Sequence, residues 1–368
     1  MLTPELLDRI RSRAAGYDRD NVFFTEDLDE LRDAGYLRPQ SLLDTVRNQR
    51  LLGAYAPATA LGINMHHVVV GIARTLHDRG DSSMDWILAD AEVGELFAFG
   101  NSEAGNDLVM FDSVTEASPN GDGSYSFTGM KIFTSMSRAW TRLGIFGRDN
   151  TDPDDPQLVH GYLDRATPGH KPVGDWDTLG MRATQSFATT LNGAVVPADR
   201  IARILPVGPS ADPYIFGLFA NFLLSISAVY AGVADRALEL AVANIEKRQS
   251  LRTGLAYAKD PDIRWQLADA AIALDSLAPQ LEQLARDVDE IADHGTAWFR
   301  LLVGAKTRAI DVSRSVVETA IRVSGGSSYS SNNELSRLYR DALAGLFHPS
   351  DPESAHSTVA NHLLGPLD

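Results

Sequence analysis

The sequence predicts an α+β chain in three parts: helices, then strands, then helices. Two patterns carry this. Apolar residues recur with helical period up to residue 95 and again from Tyr214, whereas from Leu96 they alternate with period two between Gly, Asn and Asp turns. The length, 368 residues, allows two or three domains around a large core. The expected divisions are 1–95, 96–205 and 206–368.

The first helix opens at Thr3-Pro4-Glu5, a cap followed by Pro at the first helical position and an acid in the first turn. Leu6, Ile10 and Ala14 give it an apolar face. Thr25-Glu26-Asp27 reads as the cap of a second helix, which Gly35 closes. Leu42 to Leu52 is a third. Ala58 to Leu76 is a fourth, apolar and rich in small residues, and it carries Met65-His66-His67. Neighbouring helical side chains point about 100° apart, so these histidines cannot chelate one metal from one face. One packed and one solvated is the simplest expectation.

The expected strands are Leu96–Asn101, Asp112–Glu116, Tyr125–Thr134, Arg142–Gly147, His160–Asp164 and Phe187–Val196, a barrel or sandwich. Asn192-Gly193 marks a turn and Pro197 a stop, so residues 173–201 predict a two-strand corner exposing Arg182, Thr184 and Ser186. The Pro-rich stretch Leu205–Pro213 closes this part. Phe216–Arg248 follows, long and mostly apolar, as the buried helix of a bundle. Asp262–His294, Thr296–Ser324, Arg337–Phe347 and Glu353–Leu364 complete that bundle.

There are 33 basic and 49 acidic residues, a net charge of −16, and no basic block. Nucleic acid and anionic membranes both need clustered Lys and Arg, so neither is an expected partner. No cysteine is present, which excludes disulfides, thiolate metal sites and a Cys nucleophile; no metal is expected. No uninterrupted apolar run reaches about 18 residues. The charged first helix does not read as a signal peptide. A cytoplasmic, soluble protein with a small-molecule substrate is the expectation.

Several stretches resemble the acyl-CoA dehydrogenase superfamily, over essentially the whole chain. WDTLGMRATQS at 176–186, closing on Val195-Val196-Pro197, is similar to its middle-domain signature. Phe99-Gly100-Asn101-Ser102-Glu103 resembles its Y-x-x-T-E strand, and GMKIFTS at 129–135 its G-x-K-x-W-I-T strand. RVSGGSSY at 322–329 resembles the Q-x-x-GG-x-G-[FY] loop, and Leu338-Tyr339-Arg340-Asp341-Ala342 the L-x-RDA that follows it.

The resemblance implies an N-terminal all-α domain, a central antiparallel β-barrel and a C-terminal four-helix bundle. It implies a flavin oxidoreductase, with FAD preferred to FMN. Phe99, Asn101 and Ser102 would lie along the flavin pyrimidine edge. Phe133, Thr134 and Ser135 would meet the ring and its N5, where a hydroxyl can tune the chemistry. Arg248, Arg322, Gly325 and Gly326 would take the diphosphate, the glycines letting backbone approach phosphate. These contacts cross a subunit boundary in the family, so a homo-oligomer, tetramer or dimer, is implied.

Departures sharpen the question of reaction. The family's Gly-Ser-Asp is Gly105-Asn106-Asp107 here, and the aromatic after Arg248 is Leu251. The catalytic Glu, nine residues after the Arg of RDA, is Pro349; its alternative place on the long helix is Phe222. That helix's Asp and Arg are Ala220 and Leu223. Removing the α-proton of an acyl thioester needs a positioned base. His348 is the expected replacement, with His67 a further candidate. The first expectation is oxidation of the CH–CH bond of an acyl thioester with this non-standard base. The alternative is a monooxygenase using reduced flavin and O2, as in the dibenzothiophene and hydroxyphenylacetate hydroxylase branch, where Ser135 and His348 fall near N5 and near the Glu place. A degenerate, non-catalytic binding protein is the third reading.

Overall fold

The computed structural model describes every residue except Asp107, Val109 and Asp368. The altered loop after Ser102 therefore lies partly outside the described residues. Helices come first: α1 (Pro4–Asp20), α2 (Thr25–Asp33), α3 (Leu42–Tyr55), α4 (Pro57–Asp78) and α5 (Asp85–Glu92). The strands are β1 (Phe97–Phe99), β2 (Glu116–Pro119), β3 (Tyr125–Lys131), β4 (Arg142–Asp149), β5 (Gln157–Asp164), β6 (His170–Val173), β7 (Ala188–Val196) and β8 (Ile201–Pro206). The last helices are α6 (Pro213–Lys247), α7 (Pro261–Asp275), α8 (Leu277–Asp289), α9 (Ala297–Ser324), α10 (Glu334–Leu343) and α11 (Pro352–Leu364). The α+β order of helices, sheet and helices is the one the sequence predicts.

Local chemistry explains the element ends. Thr3 Oγ1 accepts from Leu6 N at 3.3 Å, the predicted cap of α1. Thr25 is not a cap: it is the first residue of α2, and Asp27 turns inward to accept from Arg13 and from Thr59 Oγ1 (2.8 Å). The single helix expected over 262–294 is two, broken at Ser276 between α7 and α8. Pro279 sits three residues on, where it has no N–H to continue the helical ladder.

One sheet runs β6-β7-β3-β2-β4-β5-β8, with β1 on β4. Chain neighbours pair antiparallel, as expected, but β1 and β2 both lie parallel to β4 because no hairpin joins them to it. The predicted turn at Asn192-Gly193 is a bulge inside β7: Asn192 pairs with Thr128 and Ala194 with Phe127. Gly193 supplies the left-handed φ of 65° that the bulge requires. The corner is thus one continuous strand. Thr184 and Ser186, expected at the surface, are buried.

α6 is the axis of the helical core. It is long and apolar enough to cross a membrane by composition, yet 89% of its most apolar stretch is buried within the fold. Leu223, Leu224, Ile226 and Val229 are sealed, each worth roughly 1.5–3 kcal/mol of burial. Its backbone touches that of α3, since a Cβ on Gly232 would stand 2.1 Å from Arg50 O. α3 is tied to α8 in turn: Leu42 N and Leu43 N both donate to the Asp289 carboxylate at 2.9 Å.

Candidate functional site

A cavity of about 310 Å3 opens where α4, α6, the sheet and the segment after α10 meet. Phe99, Asn101, Ser102, Phe133, Ser135 and His348 line it. The rest of the wall is mainly apolar, with Leu61 and Met65 from α4, Met110, and Leu218, Phe219 and Phe222 from α6.

The motifs are joined pairwise beneath this cavity. Glu103, from the first strand motif, takes Lys131, from the second, at 2.6 Å. Both side chains are fully buried. Glu103 also accepts from Ser113 Oγ (2.7 Å) and Thr115 Oγ1 (2.6 Å). Burial works to raise its pKa, but Lys131 and these hydroxyls outweigh it and hold the carboxyl at about 2. The pair keeps the two strand motifs in register.

The WDTLGMRATQS loop is likewise clamped to α10. A Cβ on Gly180 would fall 2.3 Å from Arg340 O. Met181 N donates to Asp341 at 2.6 Å, and Arg340 donates to Leu179 O at 2.7 Å and to Asp18 of α1 at 2.9 Å. Burial lifts Asp341 to about 6. Only a bare glycine backbone permits this approach, so the Gly of one motif and the RDA of the other are one construction.

That clamp positions a row of hydroxyls. Thr184 Oγ1 donates to Met181 O (2.8 Å), and Ser186 Oγ donates to Thr184 Oγ1 (2.8 Å). Ser135 Oγ stands 2.9 Å from Ser186 Oγ. The carbonyl at the end can only accept, so the protons run from Ser135 towards Met181. Ser135 therefore keeps lone pairs for the cavity.

His348 also borders the cavity, in extended backbone beyond α10. Its Nε2 lies 2.7 Å from Tyr230 Oη on α6. Lys306 of α9 donates to His348 O (2.9 Å) and Ser350 O (2.7 Å). Burial first, then the Lys306 charge, pushes the His348 pKa down to about 3, so the ring is neutral at neutral pH. Burial drives the Tyr230 phenol well above its ordinary value.

Other predicted residues stand elsewhere. Thr134 is buried beside Thr189 (3.3 Å) and does not line the cavity. His67 is outside it too: both histidines of the pair are buried, so the expectation of one solvated ring is wrong. His66 bonds Leu37 O at 2.7 Å and accepts from Phe97 N at 3.2 Å, while His67 packs edge-on to Tyr36. Arg248 donates to Ser324 O and lies over Tyr257, beside Gly325. Exposed Arg322 pairs with Glu318 at 3.0 Å. With Gly325 and Gly326 these form a separate group at the meeting ends of α6 and α9.

Tyr230, Lys306, Thr184 and Ser186 escaped sequence reasoning as site residues. Lys306 left a signal: it falls on the apolar stripe Leu302, Ala309, Ile310, where a charge is out of place. Tyr230 left little, since a phenol in an apolar helix also reads as packing.

Residues 224–350 match the family model described as acyl-CoA dehydrogenase, C-terminal domain. Amino sugar nitrososynthase DnmZ of Streptomyces peucetius is 26% identical over 94% of this chain and 88% of its own length. A dibenzothiophene monooxygenase of Mycolicibacterium goodii is 28% identical over 72% of this chain and 67% of its own. Cyclohex-1-ene-1-carbonyl-CoA dehydrogenase of Geobacter metallireducens is 27% identical over 72% and 66%. Among solved structures, KijD3 in complex with FMN and a dTDP-linked amino keto sugar superposes with a TM-score of 0.85 at 24% identity, over 100% of this chain and 96% of that one. Butyryl-CoA dehydrogenase of Megasphaera elsdenii gives 0.85 at 20%, over 99% of each. Both likenesses establish the fold.

Proposed function

The chain belongs to the acyl-CoA dehydrogenase superfamily, and from that premise we propose that it is a flavin-dependent monooxygenase acting on a small, neutral, apolar molecule. The lining carries the proposal. Among the described residues no Asp, Glu or Lys borders the cavity, and its one cation, Arg340, is held by Asp18 and Leu179 O. Phe222 and Pro349, at the family's two base positions, both border the cavity, and neither can take a proton. Oxidation α to a thioester needs such a base, so the dehydrogenase reading, first on sequence, becomes second here. Its support is the dehydrogenases among the relatives and the retained Gly325-Gly326 loop.

The residues present fit a flavin ring. Asn101 Oδ1 is buried without a donor, and a flavin pyrimidine offers an N–H. Phe133 is 52% exposed, with Trp176 edge-on at 6.1 Å, which leaves an aromatic face for a planar ring. The reduced flavin supplies the two electrons that activate O2. Ser135, whose own proton goes to Ser186, would offer an acceptor to the N5 hydrogen of a reduced ring. The apolar wall holds the substrate and keeps water out, and His348 faces it as the one titratable group outside the Arg340 clamp.

FAD is favoured over FMN because Arg248, Arg322, Gly325 and Gly326 persist. They lie away from this cavity, so they would serve the flavin of a neighbouring copy, and a homo-oligomer, dimer or tetramer, is part of the proposal. Exposed Trp265 and Ile272, a heptad apart on α7, offer an apolar face for such contact.

The test is direct. Protein loaded with reduced FAD or FMN is mixed with air and a panel of aromatic heterocycles, and products are weighed by mass spectrometry. A product heavier by one oxygen atom is expected. Anaerobic bleaching of the oxidised flavin by an acyl-CoA, with no oxygenated product, would restore the dehydrogenase.

A further inference from the structure

We propose that Tyr230 and Lys306, neither of which lines the cavity, are positioning residues that make His348 a hydrogen-bond donor: Tyr230 selects the Nδ1–H tautomer and Lys306 fixes the backbone that carries the ring. The identity of the recipient rests on the monooxygenase reading; the tautomer does not.

The argument is one of hydrogen supply. Tyr230 is 0% exposed, and its hydroxyl has one partner among the described residues, His348 Nε2 at 2.7 Å. A sealed O–H must find an acceptor or bear the full desolvation penalty. Nε2 is the acceptor within reach, so the phenol donates to it. A neutral imidazole has a single N–H, which must then be on Nδ1. Nδ1 makes no hydrogen bond among the described residues and is not one of the sealed, unpaired atoms, while the ring borders the cavity. The one proton His348 can offer is directed away from Tyr230, and its one lone pair is already occupied.

This closes one role and opens another. A histidine whose lone pair is filled cannot abstract a substrate proton without first losing Tyr230. It can donate a hydrogen bond to an electron-rich oxygen or nitrogen in the cavity.

Lys306 completes the device. It is 2% exposed. Its ammonium meets the carbonyls of His348 and Ser350, with Gly345 O at 3.5 Å. A buried cation spent on carbonyls anchors the segment that carries His348. The same charge opposes a second proton on the ring. Among the described residues, the charged or titratable groups around His348 are Lys306 from α9, Tyr230 from α6 and Arg340 from α10, with Asp351 and Asp311 facing Lys306 and Asp341 facing Tyr230.

The test reads the tautomer by 15N NMR on protein with labelled histidine, with and without flavin. His348→Gln identifies the signals. The expected wild-type state is a protonated Nδ1 and a bare Nε2, without titration down to pH 5. Tyr230→Phe removes only the hydroxyl, and a mixture with the Nε2–H form is expected. In that variant kcat for the oxygenated product should fall about tenfold, the effect of one interaction of about 1.4 kcal/mol, with KM unchanged. Lys306→Met should raise the ring's pKa towards its ordinary value. A wild-type His348 protonated at Nε2, or a tautomer unmoved by Tyr230→Phe, would overturn the proposal. The expected tautomers without any oxygenated product would support the positioning and sink the monooxygenase reading instead.

Discussion

His160 makes the stability of this protein acid-sensitive, and the size of the effect follows from its surroundings. The ring is 1% exposed on β5, stacked on Phe146 at 5.3 Å and 11°. Tyr214 packs against it at 5.1 Å, tilted by 59°. Neither ring nitrogen has a partner among the described residues. Burial, with Lys131 and Arg203 adding to it, pushes the pKa down to about 3. The folded state thus holds the neutral ring, whereas the unfolded chain takes up a proton below about 6.5. A depressed histidine pKa leaves stability intact above the unfolded value and removes it as pH falls from there towards 3. At pH 5 the deficit is about 1.5 units, or about 2 kcal/mol at 1.36 kcal/mol per unit. His160→Leu has nearly the same volume and no proton to gain. At pH 7 the variant should be as stable as the wild type or more so, because two unpaired ring nitrogens disappear. Urea unfolding followed by circular dichroism at pH 7 and pH 5 gives the comparison. The wild type should lose about 2 kcal/mol more than the variant over that interval. Groups common to both, including buried His66 and His67, cancel in the difference. Equal losses would refute the reasoning.

Glu103→Gln should destabilise by about 3–5 kcal/mol, since it strands Lys131 as a buried, unpaired charge; equilibrium unfolding at pH 7 measures this. Gly180→Ala should push the loop off Arg340 O and break the Met181–Asp341 bond, visible as a lowered Tm together with weakened flavin binding by fluorescence titration. Arg248→Ala should reduce the flavin that survives gel filtration; unchanged occupancy would remove the diphosphate assignment.

Much of the fold was legible because its signals are local. Thr3-Pro4 does cap α1, and the change of period at Leu96 does mark where strands begin. Pro279 announced the break between α7 and α8 but was read through, since a proline in the first turn of a new helix resembles one inside an old helix. The cavity wall was legible where motifs carried it, at Phe99, Asn101, Ser102, Phe133, Ser135 and His348. Asn192-Gly193 is as suitable for a bulge as for a turn, and only the opposing strand decides. Thr184 and Ser186 were legible no better, because their burial depends on a loop clamped to α10 through Met181 and Asp341, 160 residues apart. Tyr230 was invisible because its meaning depends on a partner 118 residues away.

The knot of Asp18, Leu179, Met181, Arg340 and Asp341 also sets a timetable. A chain made from its N-terminus has α1 and the sheet in hand long before α10 and His348 exist. The long helix α6 is finished in that interval, with Phe219, Phe222 and Leu223 facing a wall that has not yet been made. Contacts this distant in sequence are slow to form. The cavity is thus one of the last places to close during synthesis, and the part of α6 that faces it stays open until almost the end. Shielding of that helix is needed most in the stretch of synthesis between Lys247 and Pro349.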